Sequence, residues 1–271
     1  MSHRHREGKR QDCFQGRGVL VTGGASGIGQ ACVDLLRARG ATVIVADLDA
    51  GKAAAAAQRP ELGFRLDVSQ PGEVEQLAKT LEDQGFEIDY LVNCAGIVQA
   101  PLPPHELGAE TYRHVISVDL EGTYHCCAVF GSAMARRGRG SIVNIASIAG
   151  MRSMPLYAYS PAKAAVINLT ECLAAEWGRS GVRVNSISPG YTVTAALQEQ
   201  IDLGLRDPEK LRRNSALGTL IMPEDIARPV VFLLSDEAAM ITGANLPVDA
   251  GWLVSGSWST FGGLPPAQAP R

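Results

Sequence analysis

The chain alternates short apolar runs with stretches in which apolar residues recur every three or four positions. The runs are Gly18 to Thr22, Thr42 to Ala46, Leu62 to Leu66, Tyr90 to Val92, Ser141 to Ile145, Val182 to Ile187 and Asn245 to Val248. Each is short and apolar, most are rich in β-branched residues, and each predicts a buried strand. Between the first two, Ile28, Cys32, Leu35 and Leu36 fall on one helix face, and Gly40 stops the helix. Further helical patterns cover Pro71 to Gly85, Ala158 to Gly178 and Pro223 to Ser235, and two long ones lie between Glu106 and Arg137. Strands alternating with helical crossovers predict an α/β fold, a doubly wound parallel sheet with helices on both faces. Such sheets bind ligands in the crevice beyond the carboxyl ends of their strands. No Ser/Pro-rich linker breaks the alternation, so the 271 residues predict a single domain over 16–255. A flexible tail is expected over 1–15 and another over 256–271. The long, compositionally varied connection 191–222 reads as a substrate lid.

Composition narrows the function classes. A hydrophobic content of 46% supports a sizeable core, and a net charge of −3 gives no electrostatic case for nucleic acid or membrane partners. No apolar run reaches the roughly 18 residues of a membrane span. Met1 to Asp12 is polar and basic without an apolar stretch, so it is not a secretory signal. His3 and His5 read as part of a solvated tail. The six cysteines (Cys13, Cys32, Cys94, Cys126, Cys127 and Cys172) form no C-x-x-C pair. They predict free, mostly buried thiols in a reducing cytoplasm. His105, His114 and His125 make no metal constellation.

The candidate chemistry begins at the first strand. Gly18 to Thr22 runs directly into Gly23-Gly24-Ala25-Ser26-Gly27-Ile28-Gly29, at the start of a helix. Exposed N–H groups and the helix dipole there suit a pyrophosphate, and glycines let the backbone approach it. Asp47 ends the next strand, 18 residues after Gly29, where an acid can bond the adenosine ribose hydroxyls. A carboxylate repels a 2′-phosphate, and no Arg or Lys lies in the glycine loop or beside Asp47, so NAD is favoured over NADP. Far downstream, Tyr159 and Lys163 are four residues apart on a helical pattern, hence on one face, about 5–6 Å apart at Cβ. A phenol titrates near 10. An adjacent ammonium favours the phenolate and is expected to pull that value toward the working range. Ser147 ends a strand twelve residues before Tyr159, and its hydroxyl can hold a substrate oxygen. Tyr157 is the decoy for Tyr159, because its own i+4 position is Pro161.

Thr22-Gly23-x-x-x-Gly27-Ile28-Gly29, Asn93-Cys94-Ala95-Gly96, Ser147, Tyr159-x-x-x-Lys163 and Pro189-Gly190 follow one another in order. Together they resemble the short-chain dehydrogenases/reductases, over about Gly16 to Trp252. The resemblance implies a Rossmann-like fold and hydride transfer between NAD(H) and a secondary alcohol or ketone, with Ser147, Tyr159 and Lys163 catalytic. It implies a cofactor site of Gly23, Ser26, Gly27, Ile28, Gly29, Asp47, Leu48, Asp67, Val68, Asn93, Ala95, Gly96, Pro189, Gly190, Thr192 and Thr194, with Tyr159 and Lys163. Lys163 would bind the nicotinamide ribose. Asp67 would meet the adenine ring, or else cap the helix before Pro71. The Asn93 segment would support the central sheet. The family's further catalytic Asn is replaced here by Asp119, in Val118-Asp119-Leu120-Glu121-Gly122. Its main-chain carbonyl would keep the water relay to the lysine, with an altered pH profile.

Substrate identity is less constrained. Gln99, Met154, Tyr157 and Tyr191, with Ser147 and Tyr159, are the candidate pocket, and Arg152 is a candidate grip for an acidic group. The second half resembles the family's polyol and sugar dehydrogenases. A 3-oxoacyl-thioester reductase is the alternative enzyme, and a dinucleotide-binding regulator the alternative outside catalysis. By the same resemblance, the helices over Leu120 to Arg137 and Ala158 to Gly178 would form a homotetramer or homodimer interface. The aromatic residues of the C-terminal tail would cover a neighbouring pocket or dock on the surface.

Overall fold

The computed structural model describes residues 14–266. His3, His5, Cys13 and most of the expected N-terminal tail lie outside the described residues, as do residues 267–271. Seven parallel strands form one sheet in the order β3-β2-β1-β4-β5-β6-β7. They are β1 (Gly18–Thr22), β2 (Thr42–Asp47), β3 (Gly63–Arg65), β4 (Tyr90–Asn93), β5 (Gly140–Ile145), β6 (Val182–Pro189) and β7 (Asn245–Val248). The chain lays strands outward from β1 to β3, then crosses back to put β4 on β1's other side, pairing Thr22 with Asn93. That reversal opens a crevice between β1 and β4, as the alternation predicts. Leu20, Ile44, Leu91, Ile142 and Ile187 are fully buried along the central strands, each stabilising the fold by about 1.5–3 kcal/mol.

The flanking helices are α1 (Gly27–Ala38), α2 (Ala50–Ala57), α3 (Pro71–Asp83), α4 (Ala109–Ile116), α5 (Gly122–Cys126), α6 (Ser132–Arg137), α7 (Tyr159–Trp177), α8 (Ala195–Asp202), α9 (Pro208–Arg213), α10 (Pro223–Leu234) and α11 (Trp252–Ser255). The two long patterns predicted from Glu106 form one continuous run over 109–137. Two π-helical turns, Ser117–Glu121 and Cys127–Gly131, join α4, α5 and α6. Each turn ends at a glycine pressed against a neighbour. A Cβ on Gly122 would stand 2.5 Å from Val68, and one on Gly131 would stand 2.4 Å from Trp177. Tertiary packing therefore accompanies each wider turn, and such turns are frequent at functional sites.

The segment 191–222 is ordered by α8 and α9 and by a parallel bridge between Thr192 and Ile221. Beyond it, Trp252 of α11 meets Tyr191 edge to face, ring centroids 5.5 Å apart. Ser255 hydrogen-bonds the Asn214 carbonyl. Trp252 and Ser255 thus pack on the 191–222 segment of the same chain, while Phe261 is 86% exposed. Among the described residues no helix is long and apolar enough to cross a membrane.

Candidate active site

The glycine turn lies at the β1–β4 switch point. Gly23 adopts φ +62, and a Cβ there would meet the Ala95 backbone at 2.8 Å. A Cβ on Gly29 would stand 2.1 Å from the Gly23 carbonyl. Thr22 Oγ1 accepts from the Cys94 and Ala95 N–H groups at 3.2 and 3.3 Å, tying β1 to the Asn93-Cys94-Ala95-Gly96 loop. Gly27, φ +52, opens α1 and faces the 191–222 segment, where its Cβ would meet Thr194 Cγ2 at 3.1 Å. Ser26 caps α1 by position but makes no side-chain cap bond, so its hydroxyl does not occupy the first N–H groups of the helix. Asp47 stands beside them. Its Oδ2 accepts from Ala25 N at 3.1 Å and its Oδ1 from Asp49 N at 3.3 Å. Backbone donors at a helix N-terminus, glycines that admit no side chain and a flanking carboxylate fit a dinucleotide's pyrophosphate and ribose.

The remaining expected cofactor residues fall into two groups. Leu48, 61% exposed, follows β2, and Asp67 and Val68 follow the paired strand β3, where Leu66 N donates to the Asp47 carbonyl at 2.8 Å. Asp67 does not cap α3, whose N-cap is Gln70. Its Oδ1 instead accepts from Ser69 N at 3.0 Å and Ser69 Oγ at 2.7 Å, because the chain turns once more before the helix starts. Asn93 turns into the sheet. Its Nδ2 donates to Asn144 Oδ1 at 2.8 Å, and Asn144 donates onward to Thr170 at 3.0 Å. This buried chain of polar groups joins β4, β5 and α7 behind the crevice. Asn144 was readable as a polar residue inside an apolar strand run, but its partners were not. On the far side of the crevice, Pro189 ends β6 and Gly190 follows it, Thr192 donates to the Gly190 carbonyl at 3.1 Å, and Thr194 caps α8.

Tyr159 is the first residue of α7 and Lys163 follows one turn later. Lys163 Nζ stands 5.6 Å from the Tyr159 ring centroid and donates to the Ile145 carbonyl at 3.0 Å. Ser147 is buried just beyond β5; its Oγ accepts from Ala149 N at 3.1 Å, and its hydroxyl faces the phenol. Asp119 lies in the first π turn and is fully buried. Its Oδ1 accepts from Ile97 N at 2.7 Å, and its Oδ2 is 3.8 Å from Lys163 Nζ. Its main-chain carbonyl accepts from Thr123 Oγ1 at 2.9 Å. Gly96 is flush with this pair, since a Cβ there would be 3.1 Å from Asp119 Oδ1 and 3.3 Å from Lys163 Nζ.

The electrostatic balance differs from the expectation of a lowered phenol pKa. Burial raises the Tyr159 pKa; Lys163 and Ser147 pull it down, but the Asp119 carboxylate and Cys94 oppose them, and the net shift is upward. Burial likewise lifts the Asp119 carboxyl, against Lys163, the Ile97 N–H and His114. Lys163 is depressed by burial, yet Asp119, Tyr159 and Cys94 outweigh it and hold the ammonium charged. Asp119 therefore spends part of the lysine's field that would otherwise act on the phenol.

The expected pocket residues are less uniform. Gln99 is buried against the start of α7, Met154 is half-buried and Tyr157 is exposed. Tyr191 leans on Trp252. Arg152 is exposed and bonds the Met151 carbonyl beside it, so it does not grip the crevice. Cys32, Cys94, Cys126, Cys127 and Cys172 are free thiols; burial pushes Cys94 up to about 12, which keeps it protonated. Among the described residues no group of three His, Cys, Asp or Glu side chains is placed to hold a metal ion.

The sequence model of an enoyl-(acyl carrier protein) reductase family matches residues 23–253. A 2,5-dichloro-2,5-cyclohexadiene-1,4-diol dehydrogenase of Sphingobium indicum is 40% identical over 88% of this chain and 98% of its own length. A D-threitol dehydrogenase of Mycolicibacterium smegmatis is 37% identical over 89% of this chain and 94% of its own. A crystal structure described as ribose-5-phosphate isomerase from Brucella melitensis 16M has a TM-score of 0.91 and 50% identity, covering 94% of this chain and 100% of that one.

Proposed function

The chain belongs to the short-chain dehydrogenase/reductase family, and from that premise we propose that it oxidises a secondary hydroxyl of a diol, polyol or sugar-like compound with NAD, Tyr159 being the general base. It is an oxidoreductase of hydroxyl compounds, as its dehydrogenase relatives are, and it uses a nicotinamide dinucleotide. The dinucleotide-binding regulator left open by the sequence is thereby set aside.

The observation that carries the residue roles is the grouping of Tyr159, Lys163 and Ser147 at the strand ends beside the glycine turn. Lys163 Nζ lies 5.6 Å from the phenol ring. In oxidation Tyr159 takes the hydroxyl proton while the Ser147 hydroxyl holds the substrate oxygen. The Lys163 ammonium stabilises the phenolate that results from deprotonating Tyr159 beforehand. The bound nicotinamide supplies the hydride acceptor. Gly23 to Gly29, Asp47, Ala95, Gly96, Lys163, Thr192 and Thr194 are the groups to hold that cofactor. Because burial and Asp119 keep the Tyr159 pKa high, oxidation should quicken at alkaline pH, whereas reduction is served by the protonated phenol at neutral pH.

NAD rather than NADP is supported by the Asp47 carboxylate beside the Ala25 N–H. A diol or polyol is supported by the relatives named above. The isomerase description of the neighbouring structure suits this crevice less well. A sugar phosphate needs a free cationic grip; Lys163 is engaged by Asp119 and the Ile145 carbonyl, Arg152 bonds the Met151 carbonyl, and none of Gln99, Met154, Tyr157 and Tyr191 is charged. Self-association is supported by the small, mainly neutral residues Pro161, Ala164, Asn168, Cys172 and Ala175 along the solvent side of α7. Free thiols suit a reducing, cytoplasmic setting.

The deciding experiment measures kcat/KM with NAD⁺ and NADP⁺ over vicinal diols, alditols and secondary mono-alcohols, and with 3-oxoacyl thioesters in the reductive direction. The expected order is diols above mono-alcohols and NAD⁺ above NADP⁺. A higher kcat/KM for the thioesters would replace this reading with the acyl reductase.

A further inference from the structure

Gln99 sits in the loop after β4, and only 6% of it is exposed. Its Oε1 accepts from two backbone donors at the start of α7, Ala158 N at 3.0 Å and Tyr159 N at 2.9 Å. The N-cap residue of that helix is Ala158, which has no side-chain acceptor of its own. Gln99 therefore does the capping from a distant stretch of chain. Two N–H groups donating to one amide atom also settle which atom is oxygen, so the other is Nε2. That nitrogen carries two donor hydrogens, is buried and has no hydrogen-bond partner among the described residues. Buried polar groups in folded proteins are nearly always paired. An amide held at both N–H groups cannot rotate to satisfy itself elsewhere without breaking the cap.

The location of this unused donor is informative. It lies one amide width from the backbone N–H groups of Ala158 and Tyr159, in the loop that follows β4. The neighbouring buried atom that also lacks a partner is Ser160 Oγ, on the next residue of α7. The helix that carries the phenol thus begins against a fixed, unspent amide donor.

We propose that Gln99 is a specificity-determining residue whose Nε2 donates to a second oxygen of the substrate, on the carbon beside the one oxidised or reduced. It selects vicinally oxygenated substrates over simple alcohols and ketones, and it couples that selection to the backbone of Tyr159. The inference rests on the hydroxyl-oxidising site proposed above and names the substrate feature that site requires. A site built to bond a substrate oxygen discriminates strongly against the analogue lacking it, because its buried donor is then left unpaired.

The test uses the reductive direction with a ketone whose second oxygen is an ether and can only accept. In the wild type, kcat/KM for 2-methoxycyclohexanone should exceed that for cyclohexanone by about a hundredfold. Gln99→Glu retains carboxylate oxygens for both backbone N–H groups but loses the amide donor. The ratio of methoxyketone to plain ketone should then fall about tenfold, with a melting temperature close to that of the wild type. Gln99→Met removes cap and donor together and should lower the melting temperature as well as the ratio. If Gln99→Glu and Gln99→Met leave the ratio unchanged while slowing both substrates, Gln99 is a helix cap and the proposal fails. It fails equally if Ser160→Ala, and not Gln99→Glu, collapses the ratio. A wild type that reduces thioesters but neither cyclic ketone overturns the substrate reading itself, an outcome distinct from a wild type that reduces both ketones with equal efficiency, which overturns the role of Gln99 alone.

Discussion

In the β1–α1–β2 half of the crevice the functional groups are backbone N–H groups, bared by Gly23, Gly27 and Gly29. Around the start of α7 they are side chains, each steered by a residue far away in the chain. A Cβ at Gly29 has no room, standing 2.1 Å from the Gly23 carbonyl. Tyr159 is instead set by Gln99 at its own N–H, by Lys163 beside its ring and by Asp119 behind that lysine. One half is a shape cut by local sequence and is insensitive to pH. The other is a balance of buried charges assembled from several elements, so a single substitution can retune it without unmaking it.

The sharpest separation of the halves is kinetic. Tyr159→Phe removes the proton carrier and nothing from the glycine turn, so kcat should fall by about 10²–10⁴-fold. Dinucleotide affinity, followed by fluorescence titration of the reduced cofactor, should stay within about twofold, because the lost group serves the reacting oxygen. Gly29→Ala should do the reverse. Its methyl must displace the Gly23 backbone, an overpacking cost of about 1–3 kcal/mol. Spent on the turn, that cost weakens dinucleotide binding by about tenfold or more. Turnover at saturating cofactor should be largely retained. Equal losses of affinity and kcat in both variants would show that the two halves are one cooperative unit.

The same contrast decides what the sequence discloses. All seven strands are legible as apolar runs, to within a residue or two, and the glycine turn is legible because its constraint is written in adjacent residues. Tyr159, Lys163 and Ser147 are legible as a spacing. Helix α2 is absent from the predicted elements, although Asp49 followed by an alanine run is a helix signal and Asp49 does cap it, accepting from Lys52 N at 3.0 Å. No hydrophobic periodicity marks the π turns, since they accompany the packing of Gly122 and Gly131 against Val68 and Trp177; only family resemblance points to the one at Asp119. Gln99 is a predicted pocket residue, but its hold on the Tyr159 backbone spans 60 positions, and no local pattern encodes that. The chain Asn93–Asn144–Thr170 is of the same kind, three polar residues whose pairing exists only in the fold.

Asp47 belongs to the first half by position and to the second by mechanism, for it acts through charge. Asp47→Ser keeps a hydroxyl near the Ala25 N–H but removes the carboxylate that repels a 2′-phosphate. The ratio of kcat/KM for NAD⁺ over that for NADP⁺ should narrow by about tenfold, an electrostatic change of roughly 1.4 kcal/mol. A ratio unmoved by the substitution would place cofactor choice elsewhere in the crevice.

The smallest predicted effect bears most directly on the balance around α7. Asp119→Asn is nearly isosteric, and an amide oxygen still accepts from Ile97 N, now 2.7 Å from Oδ1. The change is therefore almost purely one of charge. The groups facing this site are Lys163, Tyr159, Cys94, His114 and the Ile97 N–H. With the carboxylate gone, the lysine's field acts on the phenol unopposed. The Tyr159 pKa, raised first by burial and then by Asp119, moves down. Oxidation needs the phenolate, so the acid limb of its pH–rate profile should shift to lower pH by about one unit, giving a few-fold faster oxidation at neutral pH. In the reductive direction the protonated phenol is the reactant, so the alkaline limb should move down by the same amount. A profile unchanged in both directions would mean that the Asp119 carboxyl carries its own proton throughout, as its burial favours. In that case the residue acts only by holding the Ile97 N–H and the π turn, and the charge balance reduces to Lys163 against burial alone.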